Sequence, residues 1–183
     1  GYGFVGQAVA NGFQVASDGK DNIRYYDKFK DTLSLKEVIE KSEFIFICLP
    51  TPYKNDRIDL SIIDGVIEDV AKLAENTGKI IIIKSSVVPG TTRRYAQKYS
   101  KCKFCFNPEF LTESNYLEDF VNADRIVIGT DDDKTSLNVT GLYRTRFQKT
   151  PIFKTDLTTA EMVKYMANCL LATKVIFANE MYD

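Results

Sequence analysis

The first six residues form a glycine-rich turn of the kind that binds phosphate. They read Gly1-Tyr2-Gly3-Phe4-Val5-Gly6, and a helical pattern follows over Val5–Val15. Because glycines carry no side chain, the backbone of such a turn can approach a pyrophosphate, and the positive end of the helix points at the phosphate charge. The spacing therefore predicts a dinucleotide site at the start of the chain.

An acidic residue about twenty positions further on indicates which dinucleotide the site would take. Asp27 closes the apolar stretch 23–26, which reads as a short strand. A carboxylate at that place can bind a ribose 2′-hydroxyl and repels a 2′-phosphate. A glycine triplet alone has little specificity, but together with Asp27 it favours NAD over NADP.

A dinucleotide fold also needs a central strand that leads into the glycine turn. The sequence begins on the first glycine of that turn. We therefore expect the first strand of the fold to be missing. Either the start of the domain has been lost, or the chain is a fragment that something else completes.

Two polar loops follow apolar runs, at the edge where open parallel sheets bind ligands. The first is Leu49-Pro50-Thr51-Pro52, in which Thr51 can meet a cofactor or simply belong to a rigid turn. The second spans 84–92, and its hydroxyls, Ser86 among them, can bind a cofactor amide or orient a water. The alternative for the second loop is an ordinary connection in which Thr91 caps the next helix. The residues alone favour the rigid turn at Thr51 and leave the second loop open.

Two carboxylates follow the apolar run at 103–106. Glu109 and Glu113 are four residues apart, so on a helix they would share a face and could divide acid and base roles. The same stretch is typical of an ordinary helix start, with Asn107 as the N-cap and Pro108 at the first helical position. From the residues alone, the ordinary helix start is the favoured interpretation.

The last polar pair lies on a long helix predicted over Thr158–Tyr182, which opens with a capping box from Thr158 to Glu161. Lys164 and Asn168 are four residues apart and point the same way. Apolar residues surround them, so we expect this segment to be largely buried. An ammonium beside a carboxamide in a sheltered site can stabilise an oxyanion. The alternative is a lysine whose stem covers apolar surface, next to a solvated amide.

The elements between these segments alternate in type. Short apolar runs at 23–26, 44–49, 80–83, 103–106, 126–128 and 152–153 read as strands, and helical patterns lie at 35–41, 61–76, 91–99 and 134–147. Such alternation predicts an α/β fold, a doubly wound, Rossmann-like and mostly parallel sheet. We expect residues 1–157 to form this domain and residues 158–183 to form a long connecting helix towards a further domain.

Composition narrows the possible partners. The 183 residues carry a net charge of −1, which gives no electrostatic footprint for nucleic acid or for an acidic membrane, and no apolar run is long enough for a spanning helix. There is no histidine, so the commonest metal ligand and general base is lacking, and we expect no metal site. Cys102 and Cys105 form a C-x-x-C within a predicted strand, and no second pair accompanies them. We expect reduced, structural cysteines, as in a cytoplasmic protein.

Taken in order, these segments resemble the N-terminal half of the UDP-glucose/GDP-mannose dehydrogenase family. The resemblance rests on the glycine turn and on residues 50–52, 59–61, 84–86, 89–92, 107–111, 124–129 and 159–168. Such enzymes oxidise a nucleotide-sugar alcohol to a carboxylate with two NAD, through an aldehyde and a cysteine thioester. The order and spacing of the segments outweigh the ordinary interpretation of each one.

The resemblance also implies roles for single residues. NAD contacts are implied for Gly1, Gly3, Phe4, Val5, Gly6, Asp27, Pro50, Thr51, Ser86 and Glu113. Substrate contacts are implied for Glu109, Phe110, Leu111, Glu113, Lys164 and Asn168. Ser86 would help to position a water that takes the alcohol proton, and Glu109 would be the base for thioester hydrolysis. Lys164 and Asn168 would stabilise the oxyanion at the sugar C6.

Three positions depart from the family pattern. Ser86 stands where the family more usually has threonine, and Thr112 and Ser114 replace the arginine or alanine and the glycine that often follow Phe-Leu. The family's nucleophilic cysteine lies beyond the long helix, and none of the four cysteines matches it. We therefore expect no turnover from this chain alone.

The resemblance leaves the sugar open. UDP-glucose is the favoured substrate, with UDP-N-acetylmannosamine and GDP-mannose as alternatives. We expect a homodimer formed through the C-terminal helix. The alternative to an enzyme is a non-catalytic module that uses that helix to associate with itself or with a partner.

Overall fold

Helices and strands alternate along the chain as predicted. The computed structural model describes residues 1–16 and 23–182, without the side chains of 15 and 16. In this part the elements are α1 (Phe4–Ala16), α2 (Leu35–Glu40), β1 (Phe44–Ile47), β2 (Tyr53–Lys54), β3 (Arg57–Ile58), α3 (Ser61–Ala74), β4 (Ile80–Ile83), α4 (Thr91–Lys98), β5 (Lys103–Phe106), α5 (Tyr116–Val121), β6 (Ile126–Gly129), α6 (Asp133–Arg146), β7 (Ile152–Thr155) and α7 (Leu157–Tyr182).

Five of the strands form one sheet in the order β1-β4-β5-β6-β7. All neighbours are parallel except β5 and β6, which meet antiparallel at the pair Phe106 and Gly129. Each residue of β4 and of β6 is buried, because helices cover both faces of the sheet. Alternate isoleucines of β4 belong to two different core clusters, Ile81 and Ile83 to one and Ile80 and Ile82 to the other. The mostly parallel α/β architecture is confirmed.

The strand predicted at 23–26 is wrong. These residues have no regular secondary structure, and none of the described strands pairs with them. They line a cavity of about 1060 Å³ that β1 also lines. A segment is a strand only when its backbone pairs with that of a neighbouring strand.

Three small elements were absent from the prediction. The short helix α5 follows the Glu109 segment, and β2 and β3 form a two-stranded hairpin. The hairpin turns on Asn55 and Asp56, whose φ angles are 53° and 56°. Positive φ at both central residues is what a two-residue hairpin requires, and asparagine and aspartate tolerate it.

The predicted capping box of α7 is also wrong. The helix begins at Leu157, and its first turn is capped by Asp156, which accepts the N–H groups of Thr158 at 3.0 Å and Thr159 at 3.1 Å. Glu161 instead lies fully buried against α4, where it accepts the N–H groups of Gly90 and Thr92. Residue 91 is therefore not the cap of α4, because Gly90 holds the N-cap position and the capping oxygens come from Glu161.

No helix within residues 1–16 and 23–182 has both the length and the hydropathy that spanning a membrane demands.

Candidate dinucleotide and substrate site

The glycine turn packs tightly against the end of β1. A Cβ added at Gly6 would lie 2.3 Å from the Gly1 carbonyl oxygen, and a Cβ at Gly1 would lie 2.4 Å from the Cys48 carbonyl oxygen. A Cβ at Gly3 would meet no atom within 4 Å. Gly1 and Gly6 thus close the turn, whereas Gly3 leaves open space beside the N-terminus of α1. Phe4 and Val5, in the first turn of α1, line the same cavity.

Asp27 lies beside the turn, although the stretch before it is not a strand. One carboxylate oxygen accepts the Tyr2 N–H at 2.7 Å and the other accepts the Phe29 N–H at 3.0 Å. These backbone hydrogen bonds lower the pKa of Asp27. The ring of Tyr25 stacks on the ring of Tyr2 at 3.8 Å, which holds the two segments together. A carboxylate has about four acceptor positions, so Asp27 retains capacity for a ligand hydroxyl.

The two polar loops after β1 and β4 are joined to each other. The Thr51 hydroxyl donates to the Ser86 carbonyl oxygen at 2.6 Å. The Leu49 N–H donates to the Ser85 hydroxyl oxygen at 2.8 Å. Pro50, Thr51 and Ser86 line the cavity that the glycine turn also lines. The fold therefore places four sequence-predicted segments around one space: the turn, Asp27 and the two loops.

Glu109 and Lys164 form a sheltered ion pair at the edge of this space. The Lys164 ammonium donates to the Glu109 carbonyl oxygen at 2.7 Å and lies 2.8 Å from its carboxylate. The Glu109 side chain is 14% exposed and that of Lys164 is 8% exposed. The second carboxylate oxygen of Glu109 accepts the Leu111 N–H at 2.8 Å. The alternative of a lysine whose stem only covers apolar surface does not hold, because Lys164 is buried and paired.

The helix predicted to begin at Asn107 is absent, and residues 107–112 have no regular secondary structure. Glu109 and Glu113 therefore share no helix face. The Asn107 side chain does not cap a helix but donates to the Val127 carbonyl oxygen at 2.7 Å. Burial of this amide against β6 outweighs the local preference for a helix start.

Lys84 is a buried residue of this site that sequence reasoning did not single out. It is 4% exposed and lies directly after β4. Its ammonium donates to the Asn107 side-chain oxygen at 2.6 Å and to the Asn107 carbonyl oxygen at 3.3 Å. Burial lowers the pKa of Lys84 to about 8. The available signal was its place directly after four isoleucines, since strands that read as continuous apolar runs are covered on both faces.

A smaller cavity of about 400 Å³ adjoins the large one. Phe110 and Leu111 line it, and the Arg125 guanidinium lies 4.2 Å from the centre of the Phe110 ring. Glu109 and Lys84 line both cavities. The two residues therefore stand between the space next to the glycine turn and the space next to Phe110.

Residues 19–147 match the UDP-glucose/GDP-mannose dehydrogenase family, NAD binding domain. The match covers more than half of the chain. The chain belongs to this family. It is an NAD-binding domain of the UDP-glucose/GDP-mannose dehydrogenase family, as its resemblance implied.

Curated relatives and solved structures agree with this assignment. The chain is 35% identical over 162 residues to a UDP-glucose 6-dehydrogenase of Rickettsia bellii, and 37% identical over 157 residues to the UDP-glucose 6-dehydrogenase YwqF of Bacillus subtilis. These alignments cover 85% and 81% of this chain but only 37% and 35% of the relatives. The chain thus spans little more than a third of the length of these relatives.

Among solved structures, a UDP-glucose dehydrogenase from Pyrobaculum islandicum matches with a TM-score of 0.80 at 28% identity. A GDP-mannose dehydrogenase from Pseudomonas aeruginosa matches with the same TM-score of 0.80 at 25% identity. The two matches cover 99% and 98% of this chain and 50% of each structure. The Rossmann-like fold extends over nearly the whole chain.

The family's dinucleotide fits the residues that are present. Gly3 leaves open the volume that a side chain would fill beside the start of α1, which is where a pyrophosphate binds in such folds. Asp27 keeps its carboxylate ionised next to that volume, because backbone N–H groups stabilise the charge and lower its pKa.

Two of the family positions do not reach this site in the described structure. Glu113 and Asn168 are exposed, and neither lines the two cavities. The expectation that the segment around Lys164 and Asn168 is largely buried is wrong. Met162, Met166, Leu170 and Leu171 are 46% to 64% exposed. The cause is that the buried residues of α7 are confined to its first two turns, which are the part that packs on the sheet and α4.

The four cysteines form no disulfide within the part of the chain that the structure describes. Cys48, Cys102, Cys105 and Cys169 are free thiols. Burial raises the pKa of Cys105 to about 12, which makes it unreactive. Within residues 1–16 and 23–182, no group of three or more cysteine or acidic side chains is arranged to hold a metal ion.

Proposed function

We propose that the chain is the NAD-binding portion of a nucleotide-sugar dehydrogenase that oxidises UDP-glucose to UDP-glucuronate in two NAD-dependent steps. The observation that carries this proposal is the ion pair of Glu109 and Lys164, which borders the cavity lined by the glycine turn. A charge pair of this kind is useful where an oxygen acquires negative charge. The names of the two curated relatives support UDP-glucose as the substrate.

In this proposal the glycine turn, Asp27 and the joined loops hold NAD. Gly1, Gly3, Gly6 and Asp27 take the adenosine half, with Phe4 and Val5 beside them, and Pro50, Thr51 and Ser86 take the nicotinamide side. When bound, NAD supplies the oxidant for the sugar alcohol. The link between the Thr51 hydroxyl and the Ser86 carbonyl oxygen leaves the Ser86 hydroxyl available to orient a water.

Lys164 and Glu109 would have different roles, one as the stabiliser of an oxyanion and the other as a base. The Lys164 ammonium stabilises the oxyanion at the sugar C6, because its positive charge sits in a buried, low-dielectric place. The substrate oxygen then competes with Glu109 for the ammonium. Glu109, released in part from its partner, accepts the proton of the water that hydrolyses the thioester. Phe110 and Leu111 contact the nucleotide sugar from the smaller cavity.

Glu113 and Asn168 would join the site only in a longer protein. Both are exposed, so contact with substrate requires that further chain close over them. We propose that residues 1–157 are the NAD-binding domain and that residues 158–183 connect it to another domain that carries the nucleophilic cysteine. The 183-residue chain alone then binds NAD but does not form UDP-glucuronate.

Calorimetry with NAD tests the cofactor site. We expect binding to the unchanged chain and loss of binding in Gly3→Val, because the new side chain would occupy the open volume that Gly3 leaves. The same open volume lets Gly3→Val fold like the parent, which circular dichroism checks. Gly65→Ala, which also meets nothing within 4 Å but lies on α3, is the matched control and should bind NAD normally. Equal affinity in all three chains would refute the site.

Incubation with NAD and UDP-glucose tests the domain assignment. We expect no NADH and no UDP-glucuronate from the 183 residues. Formation of UDP-glucuronate without any added chain would overturn the assignment of the covalent step to another domain.

A second sugar has specific support. The GDP-mannose dehydrogenase structure matches the fold as well as the UDP-glucose dehydrogenase structure does, with the same TM-score of 0.80. GDP-mannose therefore stands as the alternative substrate, with UDP-N-acetylmannosamine behind it. Turnover of the three nucleotide sugars by a protein that includes the downstream domain separates them, since only the true substrate should give a high kcat/KM.

We also propose that α7 pairs with a second copy of the chain. Its later residues are apolar on several sides and exposed, among them Leu171, Val175, Ile176 and Phe177 at 53% to 65%. A helix that is apolar all round is normally buried. Sedimentation should show a dimer, and Ile176→Lys should give a monomer. A parent chain that sediments as a monomer would exclude self-association, including its non-catalytic form, and leave another domain as the cover of α7.

The state of the cysteines indicates the cellular compartment in which the protein would be found. All four are free thiols, including the exposed Cys169. Free exposed thiols persist in a reducing environment. We therefore propose a cytoplasmic location, which fluorescence microscopy of a tagged chain in its native cell would test.

A further inference from the structure

Two lysines hold the segment that carries Glu109, and they hold it in the same way. Lys164 donates to the carbonyl oxygen of Glu109 and lies 2.8 Å from its side-chain oxygen. Lys84 donates to the carbonyl oxygen and to the side-chain oxygen of Asn107. Each ammonium thus contacts two oxygen atoms of one residue, Glu109 or Asn107, and only Pro108 lies between these two residues.

The segment needs such support because it has little of its own. Residues 107–112 form neither helix nor strand, and Pro108 has no N–H group to donate. The Asn107 N–H continues the sheet by donating to the Ile83 carbonyl oxygen at 2.9 Å. Beyond Asn107, the Glu109 carboxylate is positioned by Lys164 and by the Leu111 N–H.

Lys84 is enclosed by groups from several elements. Asn107 binds it directly, and the Tyr143 hydroxyl on α6 donates to the same Asn107 side-chain oxygen. The ring of Phe120 on α5 lies 6.0 Å from the ammonium. The charged and titratable neighbours that act on it electrostatically are Cys48 after β1, Cys105 on β5, Glu109 and, as the one like charge among them, Lys164 on α7.

We propose that Lys84 is a positioning residue for Glu109. Its ammonium donates hydrogen bonds to two oxygens of Asn107. These bonds fix the start of the segment, so that the Glu109 carboxylate lies next to Lys164. This inference deepens the proposed function, on which the importance of Glu109 rests. Its test below needs neither NAD nor substrate, so it can fail or succeed independently.

The strength of the two hydrogen bonds from Lys84 to Asn107 depends on the charge of Lys84. A charged donor makes a stronger hydrogen bond than a neutral amine does. Because burial lowers the pKa of Lys84 to about 8, the hydrogen bonds from Lys84 to Asn107 weaken as the pH rises through that value. An ordinary surface lysine would keep its charge there, since its pKa is about 10.4.

Hydrogen exchange of the Leu111 amide measures the effect, because this N–H is bonded to the Glu109 carboxylate. After correction for intrinsic exchange, we expect its protection in the unchanged chain to fall several-fold across the pKa of Lys84. Lys84→Met should lower the protection by about tenfold below that pKa, as loss of a buried charged donor implies. The Asn107 amide, which is bonded within the sheet, should change in neither experiment.

Lys79→Met is the matched control. Lys79 precedes the same strand and also donates to two carbonyl oxygens, those of Glu40 at 3.0 Å and Ser42 at 2.8 Å, far from Glu109. It should leave Leu111 unaffected. Lys84→Arg should abolish the pH step, since a guanidinium does not titrate in this range. If Lys84→Met does not fold, the pH profile of the unchanged chain decides. A Leu111 amide whose protection is constant across pH 8 would overturn the proposal.

Discussion

The Arg93 guanidinium on α4 lies 2.9 Å from the carboxylate of Asp156, the residue that caps α7. In the other direction, Glu161 on α7 caps the N-terminus of α4. Each helix therefore supplies a side chain that binds at the start of the other. This fixes where α7 leaves the sheet, and Lys164 lies one turn further along the same helix.

Replacing Glu161 by glutamine should destabilise the protein. Both carboxylate oxygens accept hydrogen bonds from backbone N–H groups, whereas an amide offers only one acceptor oxygen and points an NH₂ group at the other donor. We expect a loss of about 1–3 kcal/mol in the free energy of unfolding, measured with urea. Glu180→Gln, on the exposed end of α7, is the control and should be neutral. Equal stability of the two variants would show that the cap contributes nothing.

Asp156→Ala should remove the cap of α7 and change the acid response. Hydrogen bonds from Thr159, followed by the Arg93 contact, lower the pKa of Asp156 to about 2. A lowered folded-state pKa gives stability that is present above the unfolded value of 3.8 and is lost as the pH falls towards 2. We expect a cost of about 1 kcal/mol at neutral pH and a shallower loss of stability in that acid window. Parallel acid-unfolding curves for parent and variant would contradict this.

Lys84 should give a slope of the same sign on the alkaline side, because its folded-state pKa is lowered as well. Its folded pKa of about 8 lies below the ordinary 10.5, so the unfolded chain binds more protons between these values. In the parent chain, the contribution of Lys84 to the free energy of unfolding should therefore increase as the pH rises through this window. It should do so although the hydrogen bonds from Lys84 to Asn107 weaken. Urea unfolding at both ends of the window should show a smaller rise in Lys84→Met than in Lys79→Met. An identical rise in both would assign the slope to other groups.

Gly129→Ala should separate α7 from the sheet. A Cβ at Gly129 would lie 2.3 Å from the Ala160 Cβ and 2.9 Å from the Asp156 carbonyl oxygen, so the helix start has to move. We expect a loss of about 1–3 kcal/mol by thermal or urea unfolding. Gly65→Ala on α3 should instead gain about 0.5–1 kcal/mol, because alanine favours a helix and nothing lies within 4 Å. A neutral Gly129→Ala would mean that α7 is loosely packed on β6.

The sequence predicted the sheet well because buried strands depend on their own residues. Four consecutive isoleucines at 80–83 can satisfy a strand covered on both faces whatever follows them. The stretch at 23–26 also reads as a strand, but none of the described strands pairs with it, and pairing is a property of the fold rather than of the stretch.

Local sequence patterns were misleading where a partner from a distant part of the chain overrode them. Glu161 fits a capping box with Thr158, yet the N–H groups of Gly90 and Thr92, about seventy residues away, bind it instead. Asn107 and Pro108 fit a helix start, yet Lys84 and Val127 take the polar atoms of Asn107. In both cases a buried polar group found its partner across the fold, and no local pattern records such a partner.

Glu109 and Lys84 form a partition with a chamber on either side. Each of these two side chains is part of the wall of both chambers, so a substitution at either position changes the shape of both.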